Sequence, residues 1–150
     1  HFLRDGHTFL HGLTFAGHPV SCAVALASIA AFEREGVLER VTRLQAYFER
    51  GLEGLRDLPV VGDIRGTGYF WGVELVADQA TKASFEGDEA SRLLRGFLSP
   101  ELFRRGLICR SDDRGDPVIQ VAPPLICEEP ELDVIIGTLR EVLAEADAHR

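Results

Sequence analysis

The segment from His11 to Pro19 contains residues whose types and order could bind a phosphate group. Gly12 and Gly17 make it a flexible loop, Thr14 supplies a hydroxyl, and Pro19 begins a long apolar run. Proline suits the first position of a helix because it has no N–H to leave unbonded. A glycine-rich loop that leads into a helix exposes backbone N–H groups, which bind phosphate together with a hydroxyl. Thr14 is therefore a candidate phosphate ligand, although many loops of this composition only turn the chain.

The histidines near the start of the chain are a second candidate site. His7 and His11 have the four-residue spacing that binds metal on a helix, but Gly6 and Gly12 flank them without a helical pattern. No glutamate lies between them, as the helix of a zinc protease would require. We therefore predict histidines that form hydrogen bonds in a loop, and no metal site.

Two arginines lie at the ends of predicted strands, next to loops. A guanidinium at such a place can bind a carboxylate through two parallel hydrogen bonds. The alternative is a surface ion pair, with Asp63 for Arg65 and with Asp112 for Arg110. The loop after Arg110 is polar enough to line the mouth of a pocket, so both interpretations stay open for that residue.

The sequence Gly66-Thr67-Gly68 has too few glycines for a dinucleotide-binding loop and precedes a strand rather than a helix. It predicts the turn of a β-hairpin. Trp71 alternates with Val73 along the second strand of that hairpin, which predicts a core position rather than a surface that stacks on a ligand.

Composition excludes several classes of protein. The 150 residues include 16 basic and 24 acidic side chains, and this acidic balance repels phosphate backbones, so we predict no nucleic-acid partner. The apolar run 19–32 contains polar residues and is shorter than the roughly 20 residues that span a bilayer, so we predict no membrane segment. Cys22, Cys109 and Cys127 lie in apolar runs and are predicted to be buried, reduced thiols of a cytoplasmic protein.

Hydrophobic periodicity predicts an α+β fold. We expect a buried helix from Pro19, packed closely through its alanines, and an amphipathic helix over 37–58. Further helices are expected over 88–104, where Pro100 must bend or restart the helix, and over 129–148. Strands are expected over 60–65, 69–76, 107–110 and 118–122. This order lacks the strict alternation of strand and helix of a parallel sheet, so a small antiparallel or mixed sheet covered by helices is predicted.

Four ordered stretches of the chain resemble one family of enzymes. Residues 14–23, Thr-Phe-Ala-Gly-His-Pro-Val-Ser-Cys-Ala, are similar to the motif H-G-x-T-Y-S-G-H-P-V-A-C-A of class III pyridoxal-phosphate aminotransferases, the ω-amino acid type. The other stretches are 65–68 with 72–76 (R-G-x-G and G-I-E-L-V in the family), 78–85 (D-x-x-T-K-x-P-F), and 106–110 with 122–126 (the final strands). The chain departs from the first motif at Phe15 and Ala16, which replace tyrosine and serine.

The resemblance implies where the cofactor and the substrate bind. The residue matching Thr14 binds the phosphate of pyridoxal 5'-phosphate in the neighbouring subunit of a homodimer. The residue matching Arg110 pairs with a substrate carboxylate and swings away for an uncharged amine. The resemblance also implies a domain division, with residues 1–35 ending the large cofactor-binding domain of a fold-type I enzyme and residues 36–150 forming its small C-terminal domain.

The resemblance also implies that the residues performing the chemistry lie upstream of this chain. Transamination needs a lysine that forms a Schiff base with the cofactor, and an aspartate that pairs with its pyridine nitrogen. Lys82 is the single lysine, and it matches a surface loop of the family, where we expect it only to be solvated. No catalytic residue is therefore assigned, and the isolated chain is expected to be inactive.

The full-length protein is accordingly expected to be a cytoplasmic aminotransferase that moves an amino group from an amine or ω-amino acid to a keto acid. Two alternatives stay open at this point. One is an aminomutase of the same fold and cofactor, and the other is a non-catalytic domain for dimerisation or regulation.

Overall fold

The chain divides into two compact units, His1–Gly36 and Val37–Arg150. A computed structural model describes residues 11–112 and 117–149. The first unit contributes a loop and one helix, and the second contributes a sheet with several helices.

The helix of the first unit, α1, extends over Pro19–Arg34. Gly36, with φ +57°, follows its C-terminal end, and its N–H donates to the carbonyl of Glu33. No residue of α1 is buried, and Val20, Leu26 and Ile29 are each more than half exposed. The expectation of a buried helix is therefore wrong for this chain. A single helix that is apolar nearly all round cannot cover itself, and the described part of the first unit holds no second layer.

The described residues of the second unit form four strands and four α-helical segments. Its helices are α2 (Val37–Glu53), α3 (Glu89–Ser91), α4 (Ser99–Arg104) and α5 (Glu129–Glu145). Its strands are β1 (Val61–Thr67), β2 (Phe70–Leu75), β3 (Arg110–Asp112) and β4 (Val118–Val121). Short 3₁₀ helices follow α2 at Gly54–Asp57 and α5 at Ala146–His149.

The four strands form one antiparallel sheet in the order β1-β2-β4-β3. Gly68, with φ +56°, turns the chain between β1 and β2, and the Trp71 indole N–H donates to its carbonyl at 2.9 Å. The predicted hairpin is confirmed, and so is the α+β class with an antiparallel sheet and helices.

One face of the sheet, the inner face, packs against the helices. Its buried side chains come from every second strand position and include Ile64, Trp71, Val73, Ile119 and Val121. They form one core with buried side chains of the helices, namely Leu44, Phe48, Leu52, Leu93, Leu94, Leu98, Leu102, Leu132, Leu139, Val142 and Leu143. Each such side chain contributes about 1.5–3 kcal/mol through removal from water. The core position predicted for Trp71 is confirmed.

Pro100 changes the hydrogen-bond register of the helix in which it lies. The segment Arg92–Leu98 between α3 and α4 is π-helical, and α4 resumes at Ser99 with Pro100 in its first turn. A proline lacks the N–H that an α-helix requires there, and a wider turn accommodates that loss. The prediction that Pro100 bends or restarts the helix is confirmed: the π-helical segment ends at Leu98 and an α-helix starts again at Ser99.

Some boundaries differ from the sequence prediction for identifiable reasons. Helix α2 ends at Glu53 rather than near residue 58, where the chain tightens into the 3₁₀ turn. Strand β3 begins at Arg110 rather than at residue 107, because the N–H of Leu107 still bonds to the carbonyl of Leu102 and closes α4. Gly106, with φ +85°, makes that closure possible.

The cysteines differ in their surroundings. Cys22 on α1 is exposed, which corrects the expectation that all three are buried. Cys109 and Cys127 are partly buried, and removal from water raises the pKa of the Cys109 thiol to about 11. Across the described residues, no helix combines the length and the apolar character that a membrane span requires.

Arg105 joins the end of α4 to α5 through a network of ion pairs. Its guanidinium contacts three carboxylates at once, and lies 2.7 Å from one oxygen of each of Glu101, Glu141 and Glu145. Glu101 also pairs with Arg104 at 2.6 Å. Hydrogen bonds from Arg104 and Arg105 lower the pKa of Glu101 from 4.5 to about 2.

Gly66 is expected to tolerate no larger side chain. A Cβ at this position would overlap the Phe70 carbonyl oxygen and lie 2.7 Å from the Trp71 Cα, both of which are backbone atoms. We expect Gly66→Ala to lower the free energy of unfolding by roughly 1–3 kcal/mol. The control is Gly137→Ala, because Gly137 has open space around it within α5. That substitution is expected to be neutral or to stabilise by up to about 1 kcal/mol. Urea denaturation measures both, and equal effects would contradict the argument.

The Glu101 ion pairs should make stability depend on pH. Because the folded pKa of Glu101 is about 2 and its ordinary value is 4.5, the stabilisation is complete above 4.5 and is lost as the pH falls towards 2. Glu101→Gln is therefore expected to lower the free energy of unfolding at neutral pH and to differ little from the unchanged protein once the pH falls to about 2 or below. The control is Glu39→Gln in the first turn of α2. A difference that is constant across this pH range would contradict the assignment.

Candidate functional site

The face of the sheet opposite the helices carries a row of side chains that includes Arg110. In antiparallel register, Arg65 lies opposite Gly72, Gly72 lies opposite Gln120, and Gln120 lies opposite Arg110. Cross-strand partners share one face of a sheet, and Gln120 stands between the buried residues Ile119 and Val121. These four residues therefore lie on the same face, which we call the outer face.

A shallow depression of about 420 Å³ lies on the outer face. It is lined by Arg65, Gly66, Phe70, Trp71, Gly72, Val118 and Gln120. Gly72 forms part of its floor, and a Cβ there would approach the Val118 Cγ1 to 3.2 Å. Phe70 is 66% exposed beside it, so the depression combines an aromatic surface with polar groups from Arg65 and Gln120.

Arg65 is held in an ion-pair network at the β1 side of the outer face. Its Nη1 contacts Glu74 and lies 3.2 Å from Asp63, which itself pairs with Arg56 at 2.9 Å. The hydrogen bond to Glu74 raises the pKa of Arg65, and the hydrogen bond from Arg56 lowers the pKa of Asp63. The surface ion pair considered for Arg65 is thus present in the structure.

Arg110 begins the edge strand β3 and is exposed. Its position on the outer face places its side chain next to that of Gln120, since directly opposed residues have Cβ atoms about 4.5–5.5 Å apart. Most of the loop after β3 lies outside the described residues, so the suggested pocket mouth at residues 113–116 stays a prediction. The role of Arg110 in binding a carboxylate also stays a prediction at this point.

The loop before α1 presents Thr14 in an exposed turn. The N–H of Ala16 donates to the carbonyl of Leu13 at 2.9 Å, and the N–H of His18 donates to the carbonyl of Phe15 at 3.2 Å. Gly17, with φ +74° and open space where a Cβ would lie, allows this path. The Thr14 side chain is exposed and accessible to a phosphate group.

The N-terminal end of α1 is partly satisfied by its own residues. The backbone N–H of Ser21 donates to the Nδ1 atom of His18 at 3.4 Å, and Pro19 has no N–H to offer. A phosphate near this loop would therefore depend more on the Thr14 hydroxyl than on the first turn of the helix. The residues present fit a phosphorylated cofactor through that hydroxyl.

Lys82 has a structural role that the sequence did not predict. Its Nζ donates to the carbonyl of Gly62 at 2.6 Å, and its backbone has φ +58°. Gly62 lies in an irregularity of the β1–β2 pairing, between Val61 and Asp63. The expectation that Lys82 is only solvated is wrong, because its ammonium group satisfies a carbonyl that the irregular pairing leaves available.

Gln79 reinforces the same junction. Its side-chain amide nitrogen lies 2.8 Å from the Arg56 carbonyl oxygen, 3.2 Å from that of Leu58 and 2.9 Å from that of Val61. Sequence reasoning missed this residue because its three acceptors lie 18 to 23 positions away. The loop that resembles the family motif D-x-x-T-K therefore stabilises the start of β1 through the hydrogen bonds of Gln79 and Lys82.

The two predicted binding residues lie in different units, Thr14 in the first and Arg110 in the second. His7 lies outside the described residues, whereas His11 lies within them. Within residues 11–112 and 117–149, no three histidine, cysteine or acidic side chains converge as metal ligands would.

Comparison with known proteins identifies the family. The model of the class-III aminotransferases matches residues 2–143. The Mycobacterium tuberculosis (strain H37Rv) protein named "Probable aminotransferase Rv3329" is 59% identical over 143 residues, which are 95% of this chain and 30% of that protein. The putrescine–pyruvate aminotransferase of Pseudomonas aeruginosa is 35% identical, over 97% of this chain and 31% of its own length.

Solved structures agree in fold. The crystal structure of an omega-transferase from Vibrio fluvialis JS17 superimposes with a TM-score of 0.77 at 35% identity, covering 94% of this chain and 32% of that one. The chain belongs to the class III aminotransferases, and it spans about 30% of the length of the curated relatives it matches.

Proposed function

We propose that this chain is the C-terminal part of a pyridoxal-phosphate-dependent aminotransferase that moves an amino group from an amine or ω-amino acid to a keto acid. The match of residues 2–143 to the class III family carries this proposal. The name of the Pseudomonas relative supports the substrate class, because it pairs an amine donor with a keto-acid acceptor.

Thr14 is the proposed ligand of the cofactor phosphate. Its exposed hydroxyl lies in a turn that Gly17 makes possible, and it can donate a hydrogen bond to a phosphate oxygen. Pyridoxal 5'-phosphate, when bound, supplies the carbonyl group that carries the amino group between donor and acceptor. Thr14 would hold the phosphate end of that molecule and so fix its position.

The proposed assembly is a homodimer in which Thr14 serves the cofactor of the neighbouring subunit. The resemblance of the segment 14–23 to the family motif supports this arrangement. We also propose that the protein is cytoplasmic, as the reduced cysteines suggest.

Arg110 is the proposed residue for binding a substrate carboxylate. A guanidinium can offer two parallel hydrogen bonds to a carboxylate, and Arg110 stands exposed at the start of an edge strand. An uncharged amine donor makes no use of this charge, so the side chain would move aside for it.

The exposed apolar surface of α1 supports the proposed division into domains. Residues 1–35 would complete the large cofactor-binding domain and residues 36–150 would form the small domain. A helix that is apolar nearly all round is stable in water when other elements cover it, and the rest of the large domain would do so. The Schiff-base lysine and the aspartate that pairs with the pyridine nitrogen would also belong to that part.

The absorbance spectrum of the full-length protein tests the proposal. A lysine-bound cofactor gives a Schiff-base band that disappears on treatment with borohydride. Absence of this band in protein supplied with pyridoxal 5'-phosphate would contradict the proposed function.

Substitution of Thr14 tests its role in cofactor binding. Removal of one hydrogen bond to a charged phosphate costs about 1.5–3 kcal/mol, so Thr14→Ala is expected to weaken cofactor affinity roughly 10- to 100-fold. Thr14→Ser, which keeps the hydroxyl, is expected to remain within a few-fold. Titration of the full-length apoenzyme with pyridoxal 5'-phosphate measures this.

The matched control for Thr14 is Thr42→Ala. The Thr42 hydroxyl donates to the carbonyl of Leu38 within α2, so its loss should leave cofactor affinity unchanged. If the Thr14→Ala and Thr42→Ala variants bind pyridoxal 5'-phosphate with equal affinity, Thr14 does not bind the cofactor.

The isolated 150-residue chain is expected to have no transaminase activity. Lys82, its single lysine, is engaged with the Gly62 carbonyl, and the chemistry requires a lysine that reaches the cofactor. An assay of the purified chain with an amine, a keto acid and added cofactor measures this, and any turnover above that of the free cofactor would contradict it.

A further inference from the structure

Strand β1 lies at one edge of the sheet, and the side chains that bond to its backbone suggest how that edge is protected. In the order β1-β2-β4-β3, β2 is its one strand partner among the described residues. An open strand edge pairs with other extended chains through its N–H and C=O groups, and proteins commonly block such edges with charged side chains. We propose that Arg56, Gln79 and Lys82, the edge cluster, prevent β1 from pairing with β1 of a second copy of the protein.

Two charged side chains occupy carbonyl groups on the same side of β1. The Lys82 ammonium nitrogen lies 2.6 Å from the Gly62 carbonyl oxygen, and the Arg56 Nη2 atom lies 2.7 Å from that of Ile64. Backbone groups of alternate strand residues point in the same direction, so these two carbonyls face the same way. An incoming strand needs the same oxygens as acceptors for its own N–H groups. It must therefore first displace both side chains.

The loop after β2 holds the other members of the edge cluster against the strand. The N–H of Ala77 donates to the carbonyl of Ala83 at 2.9 Å and closes this loop. Inside it, the N–H and the hydroxyl of Thr81 each donate to the Asp78 Oδ1 atom at 2.7 Å. These bonds fix the loop locally, and its amide donor, Gln79, and its lysine are thereby kept in reach of β1.

Arg56 is fixed by acidic groups on both sides of the strand that it protects. Its Nη1 atom lies 2.9 Å from Asp63 of β1, and its Nη2 atom lies 3.0 Å from Glu53 at the end of α2. The hydrogen bond from Glu53 raises the pKa of Arg56 further above its ordinary value. The guanidinium therefore stays charged and oriented while it donates to the Ile64 carbonyl.

Charge and backbone shape make pairing at this edge unfavourable. Arg56 and Lys82 are exposed, so water solvates both charges in the unassociated protein. A strand laid along β1 would remove these charges from water, which is costly without an added opposite charge. In a symmetric pair of β1 strands, each copy would also bring its own edge cluster, and like charges would meet. The irregular pairing between Val61 and Asp63 further distorts the edge.

The test compares two double variants of the full-length protein. Arg56→Ala with Lys82→Ala removes both charged members of the edge cluster. The control, Arg50→Ala with Arg104→Ala, removes the same charge from α2 and α4. Sedimentation velocity, under conditions where circular dichroism shows both variants folded, measures association beyond the oligomer of the unchanged protein. The edge variant is expected to associate at a concentration at least about tenfold lower than the control, as the loss of one charge-assisted hydrogen bond would allow.

Hydrogen–deuterium exchange shows where the copies meet. In the associated edge variant, the amides of residues 61–67 are expected to exchange more slowly than in the same variant diluted until it dissociates. A peptide with the sequence of residues 60–67 is a second probe. It is expected to bind the edge variant at least about tenfold more tightly than the unchanged protein, and to lose this advantage when alternate amides are N-methylated.

Single substitutions separate the charge from the fold. Lys82→Arg keeps a cation and its donors and is expected to resemble the unchanged protein, whereas Lys82→Ala is expected to associate several-fold more readily. These two variants decide the question if the double edge variant does not fold. Equal association of Lys82→Arg and Lys82→Ala would overturn the role of the charge. Equal association of the two double variants, or association without slower exchange over 61–67, would overturn the proposal as a whole.

Discussion

The antiparallel register of the sheet is the constraint on which the rest of the second unit depends. Successive strand residues face opposite sides, so burial of Trp71 and Val73 puts Gly72 on the outer face. A slip of one residue would exchange the two sets and expose the core. The irregular pairing at Gly62 is the place where such a slip could begin, and Lys82 holds its carbonyl there. The loop that carries Lys82 thus stabilises the strand pairing that the core requires.

Much of the second unit follows from its sequence. The spacing of apolar residues predicts α2 and α5, and the glycines at 66 and 68 predict the hairpin, because these signals are local. The π-helical turn before Pro100 could not be placed, since sequence shows that the proline disturbs the helix but not which carbonyls accept instead. The contacts of Gln79 and Lys82 were missed for a related reason, because their acceptors lie 18 to 23 residues away in the chain.

The candidate site also contains residues that the sequence predicts and residues that only the structure shows. Thr14 and Arg110 can be found from their residue types, their neighbours and the family resemblance. The position of Gln120 opposite Arg110 cannot, because it follows from the pairing of β4 with β3, which sequence alone does not determine. The exposure of α1 is a further case: its apolar pattern predicts burial but does not identify which part of a protein covers it. The spacing of apolar residues shows that a helix surface favours burial, but the element that covers this surface is known only from the three-dimensional structure.

The two faces of the sheet differ in how well they tolerate substitutions. Inner-face side chains share one core with the helices, so most changes there cost stability. Residues at positions 70, 110, 118 and 120 contribute little to that core and can be exchanged at small thermodynamic cost. The fold therefore provides a rigid support whose outer face can change by single substitutions without a compensating change in the interior.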